Sequence, residues 1–123
     1  MLVLDDDPLV REVGRRFLQA AGYRCVEADR IEAALDLLQT TTVVAAILDV
    51  RLPGGHSGID MLAAFREMDA CKTIPILVMT GSVLTDEETA AVTKHRAFLF
   101  HKPEGFSTIV GFLDQLTGRD RSH

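Results

Sequence analysis

Short apolar runs alternate with longer segments in which apolar residues recur every three or four positions. Leu2-Val3-Leu4 reads as a buried strand. From Pro8 to Ala21, the residues Val10, Val13, Phe17 and Ala20/Ala21 fall at helical spacing. Pro8 suits a first helical turn and Gly22 a C-terminal cap. Tyr23 to Ala28 predicts a second strand. Ile31, Ala34/Leu35 and Leu38 predict a second helix, with Asp29 as its N-cap. Val43 to Leu48 is a continuous apolar run, as expected of a strand buried on both faces, and it ends at Asp49. A turn-rich stretch, Arg51 to Gly58, leads to a helix carrying Ile59, Leu62, Phe65 and Met68. A fourth strand runs from Ile74 to Met79 and ends at Thr80-Gly81. A more polar helix, about Asp86 to Lys94, precedes a fifth strand, Ala97 to His101. Phe106, Ile109/Val110, Leu113 and Leu116 mark the last helix.

Strands alternating with helices in this way predict an α/β domain whose parallel sheet is covered on both faces. No period repeats and no segment is of low complexity. A chain of 123 residues has room for one core. The expected organisation is a single domain over residues 1–118, with 119–123 as a tail or linker remnant.

Composition narrows the function classes. The net charge of −5 argues against non-specific nucleic-acid binding by this segment. No apolar stretch reaches the roughly 18 residues that span a membrane, so no membrane association and a cytoplasmic location are expected. Cys25 and Cys71 are far apart and form neither a disulfide framework nor a metal-binding pair, and two reduced thiols are expected.

The polar residues that stand out sit where strands end. Asp5, Asp6 and Asp7 follow the first strand, Asp49 ends the third, Thr80 the fourth, and Lys102 follows the fifth. Right-handed crossovers bring these carboxyl ends to one edge of the sheet. Adjacent carboxylates repel, by roughly 4 kcal/mol per pair at ~4 Å in an effective dielectric near 20. A cation relieves that cost. Hard oxygen donors suit Mg²⁺, which often shares a phosphate oxygen. An aspartate is also a competent nucleophile toward phosphorus, and phosphoryl transfer needs mainly positioning and charge neutralisation. Alone, each feature has a plainer explanation: a solvated acidic turn, a helix cap, a capping hydroxyl, a surface lysine. Asp7 beside Pro8 reads as a helix N-cap in either case.

Taken in order, Val3-Leu4-Asp5-Asp6, Leu48-Asp49-Val50-Arg51-Leu52-Pro53, Val78-Met79-Thr80-Gly81 and His101-Lys102-Pro103 resemble the response-regulator receiver domains of two-component signalling. The resemblance covers nearly the whole chain. It implies a flavodoxin-like, doubly wound (βα)5 three-layer sandwich with strand order 2-1-3-4-5. It implies Asp49 as the phosphate acceptor, with Mg²⁺ held by Asp6, Asp49 and the backbone carbonyl of Arg51, and by Asp5 through water. Thr80 and Lys102 would bond the phosphoryl group, and the peptide before Pro103 would be cis. The implied protein is a regulatory switch that assists only its own phosphorylation and dephosphorylation. Its implied partners are a histidine kinase or histidine phosphotransfer protein, and a downstream effector reached through helix 4, strand 5 and helix 5. Phosphorylation-dependent homodimerisation is a further option.

Several positions depart from that pattern. The glycine after Asp49 comes one residue late, at Gly58, so the Pro53–Gly58 turn is longer and carries His56, best read as an exposed loop histidine. Leu99 stands where these domains often have an aromatic residue, with Phe98 and Phe100 on either side. The two phenylalanines should face away from that position unless the register shifts. Thr93-Lys94-His95-Arg96 lacks the usual glycine before strand 5, and Arg51 and Ser82 fall where receivers modulate hydrolysis of the acyl phosphate. Two other readings compete. Asp5-Asp6-Asp7 also fits the Asp-x-Asp motif of haloacid-dehalogenase-like Mg²⁺-dependent phosphatases, with Asp5 as nucleophile. An interaction module that works without phosphorylation is the other.

Overall fold

The computed structural model describes residues 1–50, 58–81, 83–101 and 106–117. Five strands form one parallel sheet: β1 (Leu2–Leu4), β2 (Val26–Ala28), β3 (Ala46–Asp49), β4 (Ile76–Thr80) and β5 (Phe98–His101), in the order β2-β1-β3-β4-β5. The helices are α1 (Pro8–Ala20), α2 (Ile31–Thr40), α3 (Gly58–Glu67), α4 (Asp86–Lys94) and α5 (Phe106–Thr117). This is the flavodoxin-like arrangement expected from the sequence. A short 3₁₀ turn at Asp69–Cys71, which no periodicity announced, leads into β4.

Side chains alternate across the sheet and build two cores. On one face Leu2, Leu4, Leu48, Ile76 and Val78 pack against Leu38 of α2, Leu62 and Phe65 of α3 and Val92 of α4. On the other, Val3, Ile47, Leu77 and Phe100 pack against Leu18 of α1 and Ile109 and Leu113 of α5. Cys71 belongs to the first core and Cys25 packs against the second. Both thiols are free, and burial raises the pKa of each.

Local expectations fared unevenly. Asp7 caps α1 by accepting the Leu9 N–H at 2.9 Å, with Pro8 opening the helix. Gly22 takes a left-handed φ of 92°, which lets the Gly22 and Tyr23 amides close on the Gln19 and Leu18 carbonyls. The apolar spacing chosen in α1 found the packed face only in part, because Val10 and Ala21 pack against the second core but two other members do not. Val13 and Phe17 are 44% and 45% exposed, whereas Gly14 and Leu18 are buried. A glycine in the inward row hid that row from an apolar count. Asp29 does not cap α2: Arg30 holds the cap position without a side-chain bond, and the Asp29 carboxylate pairs with the Arg30 guanidinium at 3.0 Å. α4 is better capped than its composition suggested, because Thr85 and Glu88 form a reciprocal capping box.

Two polar devices tie distant segments together. The Tyr23 hydroxyl donates to the buried Asp114 carboxylate at 2.8 Å, linking the turn after α1 to α5. Tyr23→Phe should cost about 1–2 kcal/mol, read as a lowered denaturation midpoint at unchanged denaturant dependence. The second is Arg66 of α3, whose guanidinium donates to the carbonyls of Cys71, Ile74, His95 and Arg96 at 2.8–3.3 Å. It therefore clasps the chain just ahead of β4 and β5. Arg96 itself has a left-handed φ of 57°, and its side chain donates to the Lys72 carbonyl at 3.0 Å. A β-branched residue tolerates that backbone poorly. Arg96→Val should therefore be less stable than Arg96→Gly by about 1–2 kcal/mol in chemical denaturation.

Candidate functional site

The strand order reverses direction between β1 and β3, and at such a switch point open α/β sheets bind ligands in the crevice at the carboxyl ends of the strands. Asp5 and Asp6 follow β1 directly, and Asp49 is the last residue of β3. Their carboxylates can each place an oxygen within 4.8 Å of the others, although the residues come from separate strands. Asp5 and Asp49 are buried, Asp6 is exposed. Such a donor set, all hard oxygen with two members sequestered, fits a small divalent cation with water completing its shell. Thr80, 1% exposed, ends the neighbouring strand β4, whose Met79 carbonyl accepts the Val50 amide at 3.0 Å. That bond ties the backbone just after Asp49 to the residue just before Thr80.

The loop bearing Asp5 is held from several sides. Its amide donates to the Ala28 carbonyl of β2 at 3.1 Å, and its carboxylate accepts the Asp7 amide at 3.0 Å. Its own carbonyl accepts Nη1 of Arg11 at 2.7 Å. Arg11 sits on α1, and its Nε lies 3.7 Å from Glu27 of β2, which Arg15 also approaches at 3.3 Å. Sequence reasoning passed over Arg11. The available signal was a cation one helical turn after the Asp7 cap, where it can reach back over the acidic run.

The β4–β5 register settles the aromatic question. Val78 pairs with Leu99, Leu77 with Phe98 and Met79 with Phe100, so no register shift occurs. Phe98 and Phe100 both stack edge-on against Phe112 of α5, with ring centroids 4.9 and 5.3 Å apart. Leu99 pairs with Val78 of the first core and is 36% exposed. Thr80 pairs in register with His101, the residue before Lys102. Lys102, Pro103, Arg51, Ser82 and the loop containing His56 lie outside the described residues. Tail residues 118–123 do as well.

A doubly wound sheet with an acidic cluster at its switch point defines an α/β class with a site suited to a divalent cation. Comparison with known proteins is more specific. The family model for the response regulator receiver domain matches residues 1–113. Response regulator MprA of Mycolicibacterium vanbaalenii is 36% identical over 120 residues, covering 97% of this chain and 50% of that protein. The sensory/regulatory protein RpfC of Xanthomonas campestris pv. campestris is 35% identical over 103 residues, 80% of this chain but 14% of its own length. Among solved structures, the chemotaxis response regulator CheY4 of Vibrio cholerae superposes with a TM-score of 0.81 at 27% identity, covering 93% of this chain and 94% of that one. A response regulator receiver protein from Pseudomonas putida gives 0.82 at 26% identity, covering 93% of each chain. The chain belongs to the response-regulator receiver domains of two-component systems. The phosphatase alternative is not favoured. The chain spans half or less of the length of these two curated relatives. No helix among the described residues is long and apolar enough to cross a membrane.

Proposed function

We propose that Asp49 is the phosphoryl acceptor of this receiver, with Asp5 and Asp6 holding the Mg²⁺ that the reaction uses. The single observation that carries the reading is the meeting of three carboxylates from two strands, beside a buried hydroxyl on the next. The donor is a phosphohistidine on a histidine kinase or phosphotransfer protein. An Asp49 carboxylate oxygen attacks phosphorus, the P–N bond breaks, and its electron pair returns to the imidazole, leaving a mixed anhydride on Asp49. A bound Mg²⁺ supplies the charge neutralisation that brings an anionic phosphoryl group to an anionic nucleophile. Asp6 and Asp49 would hold it directly, together with the Arg51 carbonyl, and Asp5 would hold it through water. The Thr80 hydroxyl donates to a phosphoryl oxygen, and Lys102 pairs with another.

The product adds about −1.5 to −2 charges at the end of β3. Drawing Thr80 and Lys102 toward that charge favours one of two backbone arrangements. A full switch from 1:99 to 99:1 takes about 5.5 kcal/mol, within reach of several charge-assisted bonds in a partly dry site. The change is read by an effector at α4, β5 and α5. The protein acts as a regulatory domain rather than an enzyme on external substrates, and it works in the cytoplasm.

The test is to phosphorylate with acetyl phosphate and Mg²⁺, reduce the acyl phosphate with borohydride, and map the altered residue by mass spectrometry. Modification at Asp49 supports the reading. Modification at Asp5 would replace it with the phosphatase chemistry, and none at all would favour a phosphorylation-independent module.

A further inference from the structure

We propose that Arg11 is a positioning residue for the metal-binding loop: by holding the Asp5 carbonyl it fixes the direction in which the Asp6 carboxylate leaves the backbone. The inference rests on the reading of Asp5, Asp6 and Asp49 as a Mg²⁺ site. The Asp5 carbonyl belongs to the peptide unit that joins Asp5 to Asp6. Restraining its oxygen restrains rotation of that plane, and with it the Asp6 Cα–Cβ vector. Arg11 does this through a 2.7 Å bond from Nη1, with its side chain only 19% exposed. The Ala28 bond fixes the amide on the other side of Asp5, and the Asp7 amide engages the Asp5 carboxylate.

Arg11 is itself braced. Its Nε faces Glu27 at 3.7 Å, and Glu27 is also approached by Arg15 at 3.3 Å. Glu27 is the neighbour of Ala28 on β2, so one short stretch of β2 holds the loop directly and through Arg11. A planar guanidinium can serve the carbonyl and the carboxylate together, which a lysine ammonium does less well. An opposite effect of the same residue sets the sign of the test. A positive charge beside an acidic cluster competes with a cation, so a purely electrostatic Arg11 would weaken Mg²⁺ binding and its removal would tighten it. A positioning Arg11 gives the reverse.

Amide-detected NMR titration with MgCl₂ of wild type, Arg11→Met and Arg11→Lys separates these cases. Arg11→Met keeps the aliphatic stem and removes the donor. It should weaken Mg²⁺ about tenfold, the lower end of what outer partners of metal ligands contribute. Arg11→Lys should recover part of the affinity. Without Mg²⁺, the Asp6 amide resonance should already move in Arg11→Met, because that N–H shares its peptide unit with the released carbonyl. If Arg11→Met does not fold, Arg11→Lys decides, with affinity below wild type expected. Unchanged or tighter Mg²⁺ binding in a folded variant, or an unmoved Asp6 amide, would overturn the role of Arg11 alone. A wild type whose amides do not respond to Mg²⁺ would overturn the metal site and this inference together.

Discussion

Asp49→Asn is expected to reduce covalent labelling by acetyl phosphate and Mg²⁺ to background while leaving the far-ultraviolet circular dichroism unchanged. The substitution keeps the shape of the side chain and removes its nucleophilic oxygen anion. It also removes one of the three carboxylates that converge at the crevice, so Mg²⁺ affinity should fall alongside. Asp5 and Asp6 remain in the variant. Labelling that persists undiminished would mean that the acceptor is elsewhere, and the assignment of Asp49 would fail.

The second large effect is expected at the opposite edge of the sheet. Arg66→Met should destabilise the domain by about 3 kcal/mol, lowering the melting temperature by roughly 10 °C. Four backbone carbonyls, from the stretches that feed β4 and β5, lose a charged donor at once. Burial, and then the like charge of Arg96, lowers the Arg66 pKa, so the guanidinium is already held at some electrostatic cost. The bonds to carbonyls are what offset it. Because the clasp lies at the amino ends of the strands and Asp49 at a carboxyl end, Arg66→Met should still be labelled by acetyl phosphate below its melting temperature. A midpoint within 3 °C of wild type would show that the clasp is energetically idle.

Much of the architecture was legible because strands buried on both faces must be apolar runs, and their polar ends are conspicuous. Asp5, Asp6, Asp49 and Thr80 were found that way, and the sheet order brings them to a common edge. The strand starts were less readable. Tyr23 lies outside β2 because its amide closes α1 on the Leu18 carbonyl. Val43 and Val44 precede the first register pairs, Ala46 with Leu2 and with Ile76, and Val44 is left 53% exposed. Ile74 stops short of β4, with its carbonyl taken by Arg66. Arg11, Arg66 and the Tyr23–Asp114 pair escaped notice for a shared reason. Long polar side chains that seek backbone carbonyls, or partners 91 residues away, leave no periodic trace in a sequence.

The strands that meet at the site differ in how firmly they are kept. Every residue of β1, β3 and β4 is buried, whereas β5 lies at the sheet edge with Phe100 its sole buried member. Local opening therefore costs least at β5. Asp5, Asp49 and Thr80 belong to a part that persists for as long as the domain is folded. His101 belongs to a part that can come and go within the native state. In the proposed switch the acceptor rests on the durable side and the readout on the labile one, so a small change in charge has something soft to move.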